Sequence, residues 1–123
     1  ATITYNPFLK KYWMCVTDGY PKVLHEFPDM NTWIAEADEI TGPWRLATYM
    51  PKFGQQAYFI NFPSKFIKKD GRTAWLCYSN NYTADHKVLP PGAYAMTLHE
   101  VIFADKETIE KHNKKVREET VLE

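Results

Sequence analysis

Cysteine is scarce in this chain: 2 of 123 residues, Cys15 and Cys77, each beside a tryptophan in a β-prone run. Two thiols so placed exclude a disulfide-stapled scaffold and read as small buried hydrophobes. No Cys/His spacing resembles a zinc site, so no metal and no cofactor is implied. Net charge is also lacking, with 15 Lys and Arg against 15 Asp and Glu. Bulk electrostatics therefore gives no drive toward nucleic acid or an anionic membrane. No apolar run approaches the roughly 18 residues of a membrane helix, and no signal-peptide pattern is visible. The first residue is Ala1 rather than Met, which reads as a processed or trimmed product.

What is abundant is aromatic and apolar: 15% and 45% of the chain. That balance favours a packed, β-rich body over disorder. The stretch Asn61 to Asn81, NFPSKFIKKDGRTAWLCYSNN, reads as strand, turn, strand. Phe62 to Ile67 is the first β-prone run, Lys68 to Arg72 the turn and Thr73 to Ser79 the second strand. Asp70-Gly71 between apolar runs is a hairpin signal, because the turn needs positive φ and glycine supplies it without steric cost. Period 2 puts Trp75, Cys77 and Ser79 on one face, and Leu76 and Tyr78 on the other.

The same pattern occurs in Asn6 to Gly19. Trp75 follows Trp13, and Cys77 follows Cys15, by 62 residues, and Leu9-Lys10-Lys11 answers Ile67-Lys68-Lys69. Downstream, Trp33 to Ala37 pairs with Tyr94 to Leu98. This is an internal repeat with a period of roughly 60 residues. The expected units are 1–56, with strands at Thr2 to Phe8, Tyr12 to Thr17, Thr32 to Ala37 and Trp44 to Met50, and 57–104, with a further strand at Ala93 to Phe103. Residues 105–123 turn polar, with Asp105 as N-cap of an exposed helix over Glu107 to Glu119. The predicted class is all-β: two antiparallel, propeller-like blades, a partial β-propeller, with a short C-terminal helix. A sheet with two apolar faces must stack on other sheets, and radial stacking of such sheets is a propeller. Two blades fall short of the four or more that close one. The chain therefore needs the remaining blades of a larger chain, or a homo-oligomer, or packs its two sheets as a sandwich.

A family resemblance rests on Trp33 to Asp38 followed by Thr41-Gly42-Pro43-Trp44, on Asp70 to Ser79, and on Phe62 to Phe66. Residues 2–104 resemble the blades of five-bladed propeller glycoside hydrolases, the family 43-like enzymes and their relatives. The resemblance implies a C-terminal two-blade portion of a carbohydrate-active hydrolase, and an extracellular or periplasmic setting. Such enzymes need a general acid and a general base across the scissile bond, about 5 Å apart for retention and roughly 6 to 10 Å for inversion. Ahead of the prolines, where the family would present an acid, this chain has Asn6 and Asn61. Most catalytic acids are then expected outside this chain, with Glu36 and Glu100 as its own candidates. Candidate sugar-binding residues are Asn6, Asn61, Asn80, Asn81 and Tyr82, on strand entries and a loop where amides and a ring would meet a sugar. The alternatives are a non-catalytic carbohydrate- or protein-binding module, and an assembly unit that completes a propeller by oligomerisation.

Overall fold

The computed structural model describes residues 1–18, 30–54, 57–80 and 95–120. It is mostly β, with two antiparallel sheets and one C-terminal helix. The first sheet runs in meander order: β1 (Thr2–Asn6), β2 (Lys11–Asp18), β3 (Asn31–Ala37) and β4 (Arg45–Met50). The second holds β5 (Tyr58–Asn61), β6 (Thr73–Ser79) and β7 (Met96–Ile102), also in sequence order. Among the described residues it has no fourth strand. The helix α1 covers Lys106–Thr120.

The alternation expected of β6 holds, and it decides which side is buried. Ala74, Leu76 and Tyr78 are buried, while Trp75, Cys77 and Ser79 are half-buried on the opposite face. In β2 the parity is reversed: Trp13 and Cys15 are buried and Met14 and Val16 half-buried. The two buried faces meet. Trp13, Cys15 and Ile34 of the first sheet pack with Ile60, Phe62, Ala74, Leu76 and Tyr78 of the second, closed over by Leu9, Met50, Phe53, Val101 and Phe103. The Trp13 ring lies 5.0 Å from Phe62 and 4.7 Å from Phe103 between centroids. Aromatic pairs at such spacings add to the area they bury, so this cluster is the centre of the fold.

β1 ties the sheets together with polar groups. Its inward residues are Thr2, Thr4 and Asn6. Thr2 donates to the carbonyl of Ile60, Thr4 to that of Phe62 at 2.7 Å, and the Asn6 amide to that of Gly71 at 2.7 Å. The Asn6 carbonyl oxygen accepts from Phe8 N and Leu9 N, so the same side chain shapes the β1–β2 turn. Gly71 is required where it stands. Its φ is +69°, and a Cβ there would lie 2.7 Å from Leu9 Cγ.

Two local expectations are corrected. Phe62 to Ile67 is not a strand: Ser64–Phe66 forms a single 3-10 turn, with Phe66 N donating to Pro63 O. Pro63 has no N–H to offer a ladder, and the position beside β6 is taken by β5, where Tyr58 opposes Ser79 and Asn61 opposes Cys77. The repeat register also shifts downstream of β6. Glu36 lies opposite Trp13 and Glu100 opposite Trp75. Ile34 to Ala37 therefore corresponds to Leu98 to Val101, offset by 64 residues, rather than to a segment beginning at Tyr94. The C-terminal helix is as polar as its composition implies. Asp105 caps it through Thr108 N at 2.7 Å, Glu107 and Lys111 pair at 2.8 Å, and none of its residues is buried.

Candidate functional site

Where the two sheets part at one end, a groove of about 420 Å³ opens. Its lining includes Leu9, Lys11, Glu36, Leu46, Arg72 and Phe103. They come from separate stretches of the chain, Leu9 and Lys11 sharing one. Lys11 begins β2 after a turn in which Lys10 takes a left-handed φ of 52°. Glu36 stands on β3 opposite Trp13. Arg72 follows the Asp70-Gly71 turn and donates to the Phe103 carbonyl at 3.4 Å. Asp70 braces that turn by accepting from Arg72 N and Thr73 N, both at 2.8 Å, and from the Thr73 hydroxyl. Hydrogen bonds from Thr73, then from Arg72, hold the Asp70 carboxyl below the usual carboxylate range.

The rim of the groove is a charge cluster. Lys11 pairs with Asp38 at 2.8 Å, and Arg45 with Glu36 at 3.4 Å and Asp38 at 3.9 Å. The hydrogen bond and charge of Lys11 lower the Asp38 pKa. The result is alternating cations and anions above an apolar floor. Such an arrangement can bind hydroxyl groups at its rim and an apolar ring face below.

Glu100 lies elsewhere. It is on the second sheet's outer face beside Trp75 and pairs with Lys68 at 3.1 Å. Glu36 points from the first sheet toward the second, so the second sheet separates the two carboxyl groups. They cannot flank one glycosidic bond within this chain. His99, adjacent to Glu100 in sequence, points the other way and meets the Tyr78 hydroxyl at 2.9 Å. Burial raises the Tyr78 pKa. Burial likewise pushes the Cys15 thiol up to about 12, which leaves it protonated and unsuited to nucleophilic work. Both cysteines are free.

Of the candidate sugar-binding residues, Asn6 is fully buried, with its side chain turned to backbone groups in the turns that precede β2 and β6. Asn61 is half-buried on the outer face of the second sheet, and its amide donates locally to Phe59 O at 3.2 Å. Asn80 joins the ends of β6 and β7, exchanging bonds with Ala95 through its backbone and its side chain, each at 3.0 Å. Asn81 and Tyr82 lie outside the described residues. The structure thus brings Glu36 together with Lys11 and Arg72, and brings none of the described candidate asparagines, Asn6, Asn61 and Asn80, to it. Sequence reading had passed over Lys11 and Arg72. Their one signal was position: each stands two or three residues before its Trp-x-Cys strand centre. Among the described residues no cluster of metal-ligating groups occurs, and no helix is long and apolar enough to cross a membrane. Comparison with protein-family models, with curated proteins and with solved structures finds no match to this chain.

Proposed function

We propose that this chain is a carbohydrate-binding portion of a propeller-like body akin to the five-bladed glycoside hydrolases, with most catalytic acids outside it. The observation that carries this reading is the groove that joins Lys11, Glu36 and Arg72 over Leu9, Leu46 and Phe103. A sugar presents hydroxyls at its edge and C–H bonds on its faces. Charged groups in alternating sign serve the first, and an aromatic and aliphatic floor the second. The separation of Glu36 from Glu100 supports binding rather than cleavage by this chain alone.

Calorimetric titration with arabino-, xylo- and fructo-oligosaccharides tests the reading. Binding to one of them is expected, and Arg72→Ala weakens it about tenfold, as for a lost charge-assisted hydrogen bond. Aryl glycosides are expected to stay intact. Absence of binding to all three classes, or binding indifferent to Arg72→Ala and Glu36→Gln alike, rejects the groove as a sugar site.

A further inference from the structure

Both sheets carry an apolar face that no other described element covers. β1 shows this in reverse polarity. Its threonines and Asn6 point inward, while Ile3 and Tyr5 point outward, 47% and 44% exposed. Beside them on the same side lie Tyr12, Met14 and Val16 of β2, with Tyr5 and Tyr12 rings at 4.9 Å, and then Trp33 against Tyr49 at 4.2 Å. At the other end of the molecule the outer face of the second sheet presents Trp75 and Cys77, with Leu98 opposite Cys77 at 41% and Met96 at 72% exposure. Exposed large apolar side chains that stand side by side, rather than singly, mark interaction sites.

The interface inside the chain says what fits them. It joins the Trp-x-Cys face of the first sheet, with Ile34 and Glu36 across from it, to the Leu76 face of the second. The open face of the second sheet is the counterpart of the first component: Trp75-x-Cys77, with Leu98 and Glu100 across from it. The open face of the first sheet is the counterpart of the second component, since Met14 stands between Trp13 and Cys15 as Leu76 stands between Trp75 and Cys77. The stacking is therefore directional, and each end of the molecule carries the half that the other end lacks. The glutamate is no obstacle, because Glu36 already sits at the rim of the covered interface, ion-paired to Arg45.

We propose that copies of this chain associate head to tail, the Trp75–Leu98 face of one against the Ile3–Met14 face of the next. The two surfaces differ, so the contact is heterologous. It closes into a ring if the rotation per copy allows and otherwise extends. This inference stands on the matching of faces and is independent of whether the groove takes a sugar.

Two variants test it: Ile3→Glu, which places a charge on one open face, and Leu98→Glu, on the other. Both positions are exposed, so each variant should fold, checked by circular dichroism and thermal melting; Tyr49→Glu and Met96→Glu replace either variant that does not fold. Sedimentation equilibrium then reads the mass. The parent chain is expected to exceed 14.4 kDa as its concentration rises. Each variant alone should remain a single chain. An equimolar mixture should form a two-chain species and no larger one, since each variant keeps the half its neighbour has lost. A parent chain that stays a single chain at its highest soluble concentration overturns the proposal. So does association that neither variant weakens, and so does a mixture that fails to pair, which indicates a contact between like faces.

Discussion

Trp13 and Trp75 hold the same place in their two sheets, each in the second strand and each opposite a glutamate. Both side chains point in the same sense along the stack, from the first sheet toward the second and beyond it. Trp13 is covered by the second sheet to 2% exposure, whereas Trp75 is only half-buried, because no described sheet packs over its face. Two residues that are alike in sequence and in register thus differ in energetic weight, and the difference comes from position in the stack alone.

Substitution separates them. Trp13→Ala removes a large ring from the middle of the core and is expected to cost about 3–5 kcal/mol, a large fraction of the stability of an ordinary domain. Trp75→Ala, studied at low concentration where chains are separate, is expected to cost roughly half as much or less. Urea unfolding followed by circular dichroism measures both. Equal costs would show that the outer face is as tightly packed as the inner one.

Asn6 links three backbone groups, donating to the Gly71 carbonyl and accepting from Phe8 N and Leu9 N. Asn6→Ala leaves the Gly71 carbonyl without its bond and frees the two turn amides, with an expected loss of about 2–3 kcal/mol. Asn61→Ala removes one local bond and is expected to change stability by less than about 0.5 kcal/mol. Denaturant midpoints of the two variants check the contrast between residues that look alike beside their prolines.

That contrast marks the limit of what was legible in the residues. The Trp-x-Cys strands, the Asp70-Gly71 turn and the polar helix were readable, because each is decided by a few neighbours: alternation, a glycine at positive φ, an N-cap. The strand misplaced onto Phe62 to Ile67 had the right composition, but Pro63 and the pairing of Tyr58 with Ser79 moved the ladder upstream. The role of Asn6 depends on Gly71, which is 65 residues away, and sequence carries no sign of that meeting. The groove was hidden for the same reason. Lys11, Glu36 and Arg72 converge only through strand register and through the packing of one sheet on the other.

Thr32 offers a stabilising change. It is fully buried, and its hydroxyl oxygen has no hydrogen-bond partner. A buried unpaired hydroxyl carries a desolvation cost that a methyl group does not. Thr32→Val keeps the branched shape suited to β3 and is expected to raise the unfolding free energy by about 1 kcal/mol. Thr32→Ser keeps the hydroxyl and deletes the methyl, so it is expected to destabilise. A loss of stability on Thr32→Val, read from the same urea curves, would argue that the hydroxyl has a partner in solution.

The pH dependence follows from three aspartates whose pKa values lie below the usual 3.8. Asp38 is lowered first by its bond from Lys11, Asp70 by bonds from Thr73, and Asp105 by bonds from Thr108. In each the folded state favours the carboxylate more than the unfolded chain does. Their stabilising contribution is therefore fully present above the unfolded value and is lost as pH falls through the lower, folded values. The urea midpoint is expected to stay level from about pH 7 to about pH 5 and to decline below about pH 4. Asp70→Asn removes one of the three titrations and should make that decline shallower, while lowering the midpoint at neutral pH, because an amide nitrogen cannot accept from the Thr73 hydroxyl. Asp105→Asn removes another of the three and should also make the decline shallower, with its effect at neutral pH seen mainly in the helical signal, since α1 buries none of its residues. A midpoint that rises on acidification would mean that these carboxylates are worse accommodated in the fold than in the open chain.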